Sequence, residues 1–394
     1  MNPIAKFIAV MFVLVLTGGP AALAAENTPA DAPAAGADWK NTARQVVDRT
    51  VAWYEKNQIP EGAWGKPPFH LGVTCLAVKG LVTTKGLKRD NPMIAKAVEF
   101  ILKNVQPEGS IMVKGQGLAN YNTSVAVMAL AALNDPALAG VVEKSRKFLV
   151  GFQRSEENGY APKDYKSYGG IGYSDNSGNA DLTNLEFALS ALQESNLPAD
   201  SPVWKRAAMF LSRCQGRTES NDLVTLVEDK TSGVANDGGF GYSPGVSKAG
   251  KEKLADGRMA PKSYASMTYA GLKSFIYAKV DRKDPRVQAA YAWIQSHYSL
   301  DENIGMRTAE KPNLGKQGLY YYYHTFAKAL QAYGEPEIKT TDGPARNWRK
   351  DLVEKLASLQ KPDGFWVNDE DRWGESDPAL ASAYVLIALG VCLE

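Results

Sequence analysis

Cysteine is nearly missing from this chain: its 394 residues contain three, Cys75, Cys214 and Cys392, far apart from one another. That excludes a disulfide framework as the support of the fold. Cys75 and Cys392 lie in apolar helical patterns and read as small core residues rather than reactive thiols. An excess of charge of either sign is missing too. The chain has 45 basic and 43 acidic side chains, so nothing favours nucleic acid or an anionic membrane as a partner. After the opening segment no hydrophobic run is long enough to cross a bilayer. Alternating runs closed by hairpin turns, the mark of strands, are nearly absent.

What is present begins with a targeting segment. Lys6 supplies a positive start, Phe7 to Leu16 an apolar run too short for a comfortable span, and Ala22-Leu23-Ala24 a small-residue cleavage site. Residues 1–25 are therefore expected to be a cleaved signal peptide, and residues 26–38, rich in Ala and Pro, a disordered lead-in. A periplasmic or secreted protein is expected, with no membrane span after cleavage. Its fold should occupy residues 39–394 as a single domain.

The body of the chain repeats one element. Residues 359–366 read LQKPDGFW: a helix end, then Gln360, a turn carrying Asp363-Gly364, then two aromatics. Related copies place Gln58 before Gly62 and Trp64, Gln106 before Gly109 and Ile111, and Gln153 before Asn158-Gly159-Tyr160. Gln215 precedes Asp237-Gly238-Gly239-Phe240, and Gln295 precedes a degenerate copy ending in Gly305-Met306. Self-similarity of this kind marks a repeat architecture. Helical spacing of apolar residues makes two helices per repeat: 39–57 with 70–81, 92–105 with 121–133, 138–152 with 180–193, 201–215 with 261–278, 284–298 with 318–333, and 345–360 with 377–393. The second helix of each pair is apolar or small around most of its circumference, as a helix buried on all sides should be; the first carries more charge, as in residues 346–355. The prediction is an all-α fold, an α/α toroid of six helical hairpins with an inner ring of six helices inside an outer ring of six.

The Gln-x-x-Asp-Gly-Phe-Trp run of residues 360–366, its weaker copies, and inner helices such as DLTNLEFALSAL at 181–192 resemble the terpenoid cyclase and protein prenyltransferase superfamily. More narrowly, they resemble secreted bacterial proteins with squalene-cyclase and prenyltransferase repeats, over residues 40–394. The resemblance implies the toroid and a central cavity. It does not fix a reaction, because such toroids host cyclases, lipid transferases and non-catalytic members.

In such a toroid the inner helices begin at one mouth. Their free N–H groups and positive dipole ends gather there and favour anionic or strongly hydrogen-bonding ligands. Aligning the inner helices on their apolar ends brings His70, Asn122, Asp181, Tyr264, Tyr322 and Pro378 to that mouth, although Asn122 and Asp181 suit plain capping equally well. Tyr320 to Tyr323 fan around a helix start, so at least two of them should face the cavity. The expected ligand set is His70, Asn122, Asp181, Tyr264, Tyr322, Tyr323, His324 and Trp373, with Asp181 and His324 as the catalytic candidates.

Tyr323-His324-Thr325 is similar to the zinc-binding Tyr-His-Thr of prenyltransferase catalytic subunits. Their Asp-x-Cys element corresponds to residues 262–266, Lys-Ser-Tyr-Ala-Ser, which has neither ligand, and a lone histidine is no zinc site. The Asp-x-Asp-Asp acid of squalene-cyclising relatives is reduced to Asp181-Leu182-Thr183-Asn184, poorly equipped to protonate an alkene. Asp175, Asp181 and Glu186 form no compact cluster for Mg²⁺. No metal or cofactor is expected. The G-x-S-x-G match at 241–245 carries Pro244 directly after its serine, which suits a loop rather than a nucleophile elbow. The insertions 154–179 and 216–261 should fold over one face. With Trp366, Trp373, Glu375 and Asp377 they would offer an aromatic, carboxylate-lined groove to sugar rings, unless Trp64 and Trp366 plug repeat interfaces. The expected function is an exported toroid that binds a ligand or partner in its cavity mouth, isoprenoid, lipid or polysaccharide, without the standard catalytic groups. The alternatives are an active isoprenoid cyclase or transferase, and a carbohydrate-active enzyme or polysaccharide binder.

Overall fold

In a computed structural model the described residues are 38–173, 180–223 and 231–394; the expected signal peptide, the lead-in up to residue 37, and Asp175 lie outside them. Residues 36–394 form one compact unit. Among the described residues the helices alternate between outer and inner positions in every repeat. The outer helices are α1 (Trp39–Lys56), α3 (Pro92–Leu102), α5 (Ala139–Phe152), α7 (Pro202–Cys214), α9 (Pro285–Ser296) and α11 (Trp348–Leu359). The inner helices are α2 (His70–Lys85), α4 (Ala119–Ala132), α6 (Leu182–Glu194), α8 (Ala265–Tyr277), α10 (Leu319–Tyr333) and α12 (Pro378–Leu393).

The inner helices close a ring. Each packs on the next, α2 on α4, α4 on α6, α6 on α8, α8 on α10, α10 on α12, and α12 returns to α2. Burial follows the predicted division. In α12 every residue from Ala379 to Cys392 is buried, whereas outer α5 buries only Ser145 and Leu149. The starts obey local chemistry: Asn91, Asp284 and Asp377 each stand before a first-turn proline and accept a backbone N–H.

The recurring glutamine is the stitch between repeats. Gln360 Nε2 donates to Gly364 O at 3.1 Å in its own turn and to Val46 O of α1 at 3.0 Å, joining the last repeat to the first. Gln58, Gln153 and Gln215 bridge in the same way to Met93 of α3, Val203 of α7 and Arg286 of α9. The turn glycine is required sterically. Gly364 has φ +91°, and a Cβ there would lie 2.5 Å from Arg49 O of α1. In the third repeat that place belongs to Gly169, whose carbonyl accepts from Gln153, and not to Gly159 of the expected Asn158-Gly159-Tyr160 turn. Residues 156–158 form a short 3₁₀ turn within the insertion instead. Trp64 and Trp366 are buried, and their indole N–H groups donate to Tyr54 O and Leu356 O at the ends of the preceding outer helices.

Two small hairpins interrupt the helices. β1 (Lys251–Lys253) pairs antiparallel with β2 (Met259–Pro261), so Pro261 precedes the fourth inner helix rather than opening it. β3 (Ile338–Lys339) pairs with β4 (Ala345–Arg346), which moves the start of the sixth outer helix to Trp348. No helix among the described residues is long and apolar enough to cross a membrane.

Candidate functional site

A cavity of about 620 Å³ opens where the inner helices begin. Its wall is built from their first turns: Val73 of α2, Tyr121 of α4, Thr183 and Phe187 of α6, Tyr264 and Met267 around the start of α8, Tyr321 of α10, and Leu380 and Tyr384 of α12. All six inner helices therefore point the same way, with their positive ends at this mouth. The two insertions complete the wall with Tyr173 and Tyr242. Each is held by backbone bonding to an inner helix start: Asn120 N donates to Tyr173 O at 3.1 Å, and Leu182 N to Tyr242 O at 2.8 Å. Phe69, Tyr173 and Trp373 stand exposed at the rim.

Only part of the predicted set meets at this cavity. Tyr264 and Trp373 line it. Asn122 and Tyr322 lie a turn too deep, because alignment on the apolar ends ignored unequal helix lengths. The side chains of Thr74, Thr123, Thr268 and Ser382, which accept the backbone N–H of Trp64, Ile111, Phe240 and Trp366, mark the true register. Four residues before them stand His70, Ala119, Tyr264 and Pro378, not Asn122. Asn122 is buried against Gly72 of α2. His70 turns outward, its ring tilted against Phe100 of α3 at 5.3 Å. Tyr322 and Tyr323 point away from the cavity and donate to Ser299 O at 2.5 Å and Leu300 O at 2.7 Å. Of the four tyrosines, Tyr321 is the one that lines the cavity.

His324 is fully buried behind the floor, stacked near Phe187, Tyr321 and Tyr384, with neither ring nitrogen hydrogen-bonded among the described residues. Burial, then the nearby Lys273, Lys328 and Lys79, push its pKa well down, so the imidazole is neutral. The zinc implied by the Tyr-His-Thr match does not fit here, since no group of three or more His, Cys, Asp or Glu among the described residues can hold a metal.

Asp181 caps α6 beside the cavity and does not line it. Its Oδ1 accepts from Asn184 N and its Oδ2 from Asn184 Nδ2, both at 2.9 Å. Burial pushes its carboxyl up to about 6, against the lowering effects of Asn184, Tyr242 and Lys248. The remaining carboxylates at the mouth are engaged too. Glu375 is buried and caps α10, accepting from Tyr320 N, Tyr321 N and Asn368 Nδ2. Asp377 accepts from Lys66 N and Ala379 N, and Asp371 from Ser376 N. Asp371, Glu375 and Asp377 all line the cavity, each with at least one oxygen committed to a backbone N–H. Ser243 lies in a tight turn closed by backbone bonds with Val246, without the strand a nucleophile elbow needs.

The cations differ. Lys66, Lys248 and Arg372 line the mouth and form no ion pair among the described residues; the Lys248 ammonium lies 4.3 Å from the centre of the Tyr242 ring. These cations, and the wall residues Tyr121, Phe187, Tyr242 and Tyr384, escaped the sequence reading. A signal for Tyr242 was present: Gly-Tyr-Ser occurs at 172–174 and at 241–243, and both Tyr173 and Tyr242 reach the wall.

Closed inner ring, outer ring and mouth cavity make this an α/α toroid. A variant of the type II terpene cyclase MstE from Scytonema, in its apo form, superposes with a TM-score of 0.52 at 13% identity, covering 90% of this chain and 98% of the cyclase. The cyclase in complex with its substrate geranylgeranyl dihydroxybenzoate gives 0.50 at 13% identity over the same shares. The GH76A α-1,6-mannanase from Salegentibacter sp. HEL1_6 gives 0.48 at 12% identity, covering 91% of this chain and all of the mannanase. No family model and no curated protein matches the sequence. At these identities the likeness is one of fold.

Proposed function

We propose that this is an exported toroid that binds an elongated amphiphile in its mouth cavity, an isoprenoid or acyl chain carrying an anionic head, without transforming it. The observation that carries this reading is the contrast between wall and rim. Aromatic and aliphatic side chains enclose a volume in the usual range for small-molecule sites, roughly 300–1,000 Å³. Lys66, Lys248 and Arg372, which form no ion pair among the described residues, stand at its opening with the helix N-termini, while Asp371, Glu375 and Asp377 beside them are turned to backbone N–H groups. The bound substrate of the structurally similar cyclase, a geranylgeranyl chain on a dihydroxybenzoate, has the same division into apolar body and acidic head.

Native mass spectrometry of the purified mature chain, followed by lipid extraction, tests the reading. A retained or added prenyl or acyl amphiphile at one per chain is expected. A chain that retains none, even when such amphiphiles are supplied, refutes it. Fractionation of the producing cells tests export.

One observation favours a cyclase instead. Asp181 is buried beside the cavity, and its raised pKa keeps it protonated below about pH 6. Cyclised product from a prenylated acid, lost in Asp181→Asn, would establish that activity.

A further inference from the structure

We infer that the floor of the cavity carries a hydrogen-bonding post, Tyr321, that selects a ligand with a hydroxyl group at the end remote from its anionic head. The inference rests on the proposed amphiphile binding and names the chemistry of the ligand's deep end.

The reason lies behind the floor. Tyr321, in the first turn of α10, lines the cavity, and its hydroxyl donates to Glu186 Oε2 at 3.4 Å. Glu186 on α6 and Lys273 on α8 are both fully buried and form an ion pair; Lys273 Nζ also donates to Ser190 Oγ at 3.1 Å. Apolar residues in place of a buried ion pair are often neutral or stabilising, so a floor meant for a bare hydrocarbon end has no need of this one. His324 places a second polar group behind the same floor rings, one turn along α10 from Tyr321. With its proton directed to Glu186, the Tyr321 oxygen retains lone-pair capacity toward the cavity and therefore accepts rather than donates. Thr183, also in the wall, offers a second hydroxyl beside it. An acceptor post at the deep end and cations at the rim define a chain with an anionic head and a terminal hydroxyl.

Calorimetric titration of the mature chain with hexadecanoate and with 16-hydroxyhexadecanoate tests this. The hydroxy acid is expected to bind about tenfold more tightly, the worth of one hydrogen bond to a charge-backed acceptor. Tyr321→Phe should abolish the difference, whatever it does to the affinity for hexadecanoate itself, with a single cooperative unfolding transition as the folding check. The double variant Glu186→Met, Lys273→Met, which keeps Tyr321 but removes its acceptor, should reduce the preference as well. Equal affinities in the wild type, or a preference that survives both variants, overturns the inference and leaves amphiphile binding standing. If neither acid binds but geranylgeranoic acid does, the inference falls and amphiphile binding stands; if none of the three binds, both fall.

Discussion

Asp181 shows how one side chain can serve the fold and still advertise chemistry. It caps α6 through Asn184 and is almost fully buried, and burial lifts its carboxyl from an ordinary 3.8 to about 6. A carboxyl raised in the folded state contributes its full stability below the unfolded value and loses it as pH rises through the folded one. Between pH 4 and pH 7 the wild type should therefore lose about 2 kcal/mol relative to Asp181→Asn, which has no proton to release. Denaturant unfolding of both proteins at the two pH values measures this; parallel profiles would show that Asp181 is not buried as described. Nothing in the local sequence distinguishes such a cap from a catalytic acid, because both call for a carboxylate before a helix. The same ambiguity covers His324, which the sequence places near the mouth and the fold seals behind a layer of rings.

At the level of elements the turn glycines are the sharpest test of the repeat. Gly364 and Gly115 both have positive φ, +91° and +85°, but only Gly364 lies against a neighbouring backbone carbonyl, and nothing stands within 4 Å of a Cβ at Gly115. Gly115→Ala should cost about 1 kcal/mol of backbone strain, and Gly364→Ala clearly more, roughly 3 kcal/mol, because α1 must also shift. Equal losses in thermal or chemical unfolding would contradict the role of the turn as a repeat-to-repeat contact. Helix order, pairing and burial were legible in the sequence because each rests on short-range signals: period, cap, proline and the Gln-Gly turn. The cavity wall was less so. Its residues are fixed by the register of one helix start against the next, and Asn122 and Tyr322 show that apolar runs of unequal length do not supply that register. Tyr264 came from the alignment of the inner helices, which holds at the fourth repeat, and Trp373 from the expected aromatic groove. Tyr121 and Tyr384 look like ordinary inner-helix residues until the ring is closed.

For the whole molecule the decisive feature is closure. Chain ends meet through α12 on α2 and α1 on α11 and α12, and Gln360 bonds the last turn to α1. An open array of repeats can unfold from its ends, whereas a closed ring has none. Far-ultraviolet circular dichroism and tryptophan fluorescence should therefore report one coincident transition; two separated transitions would mean that the ring does not act as a unit. The same closure turns six helix starts into a single aromatic mouth rimmed by Lys66, Lys248 and Arg372 and by Asp371, Glu375 and Asp377, and the functional reading depends on that mouth being occupied. The most direct measurement is a calorimetric titration of geranylgeranoic acid into the wild-type chain and into Leu380→Trp, whose added bulk fills the cavity from α12. Saturable binding at one per chain in the wild type, weakened at least tenfold in an equally folded Leu380→Trp, is the predicted result. No binding, or identical binding by the two proteins, would contradict a ligand site in the mouth.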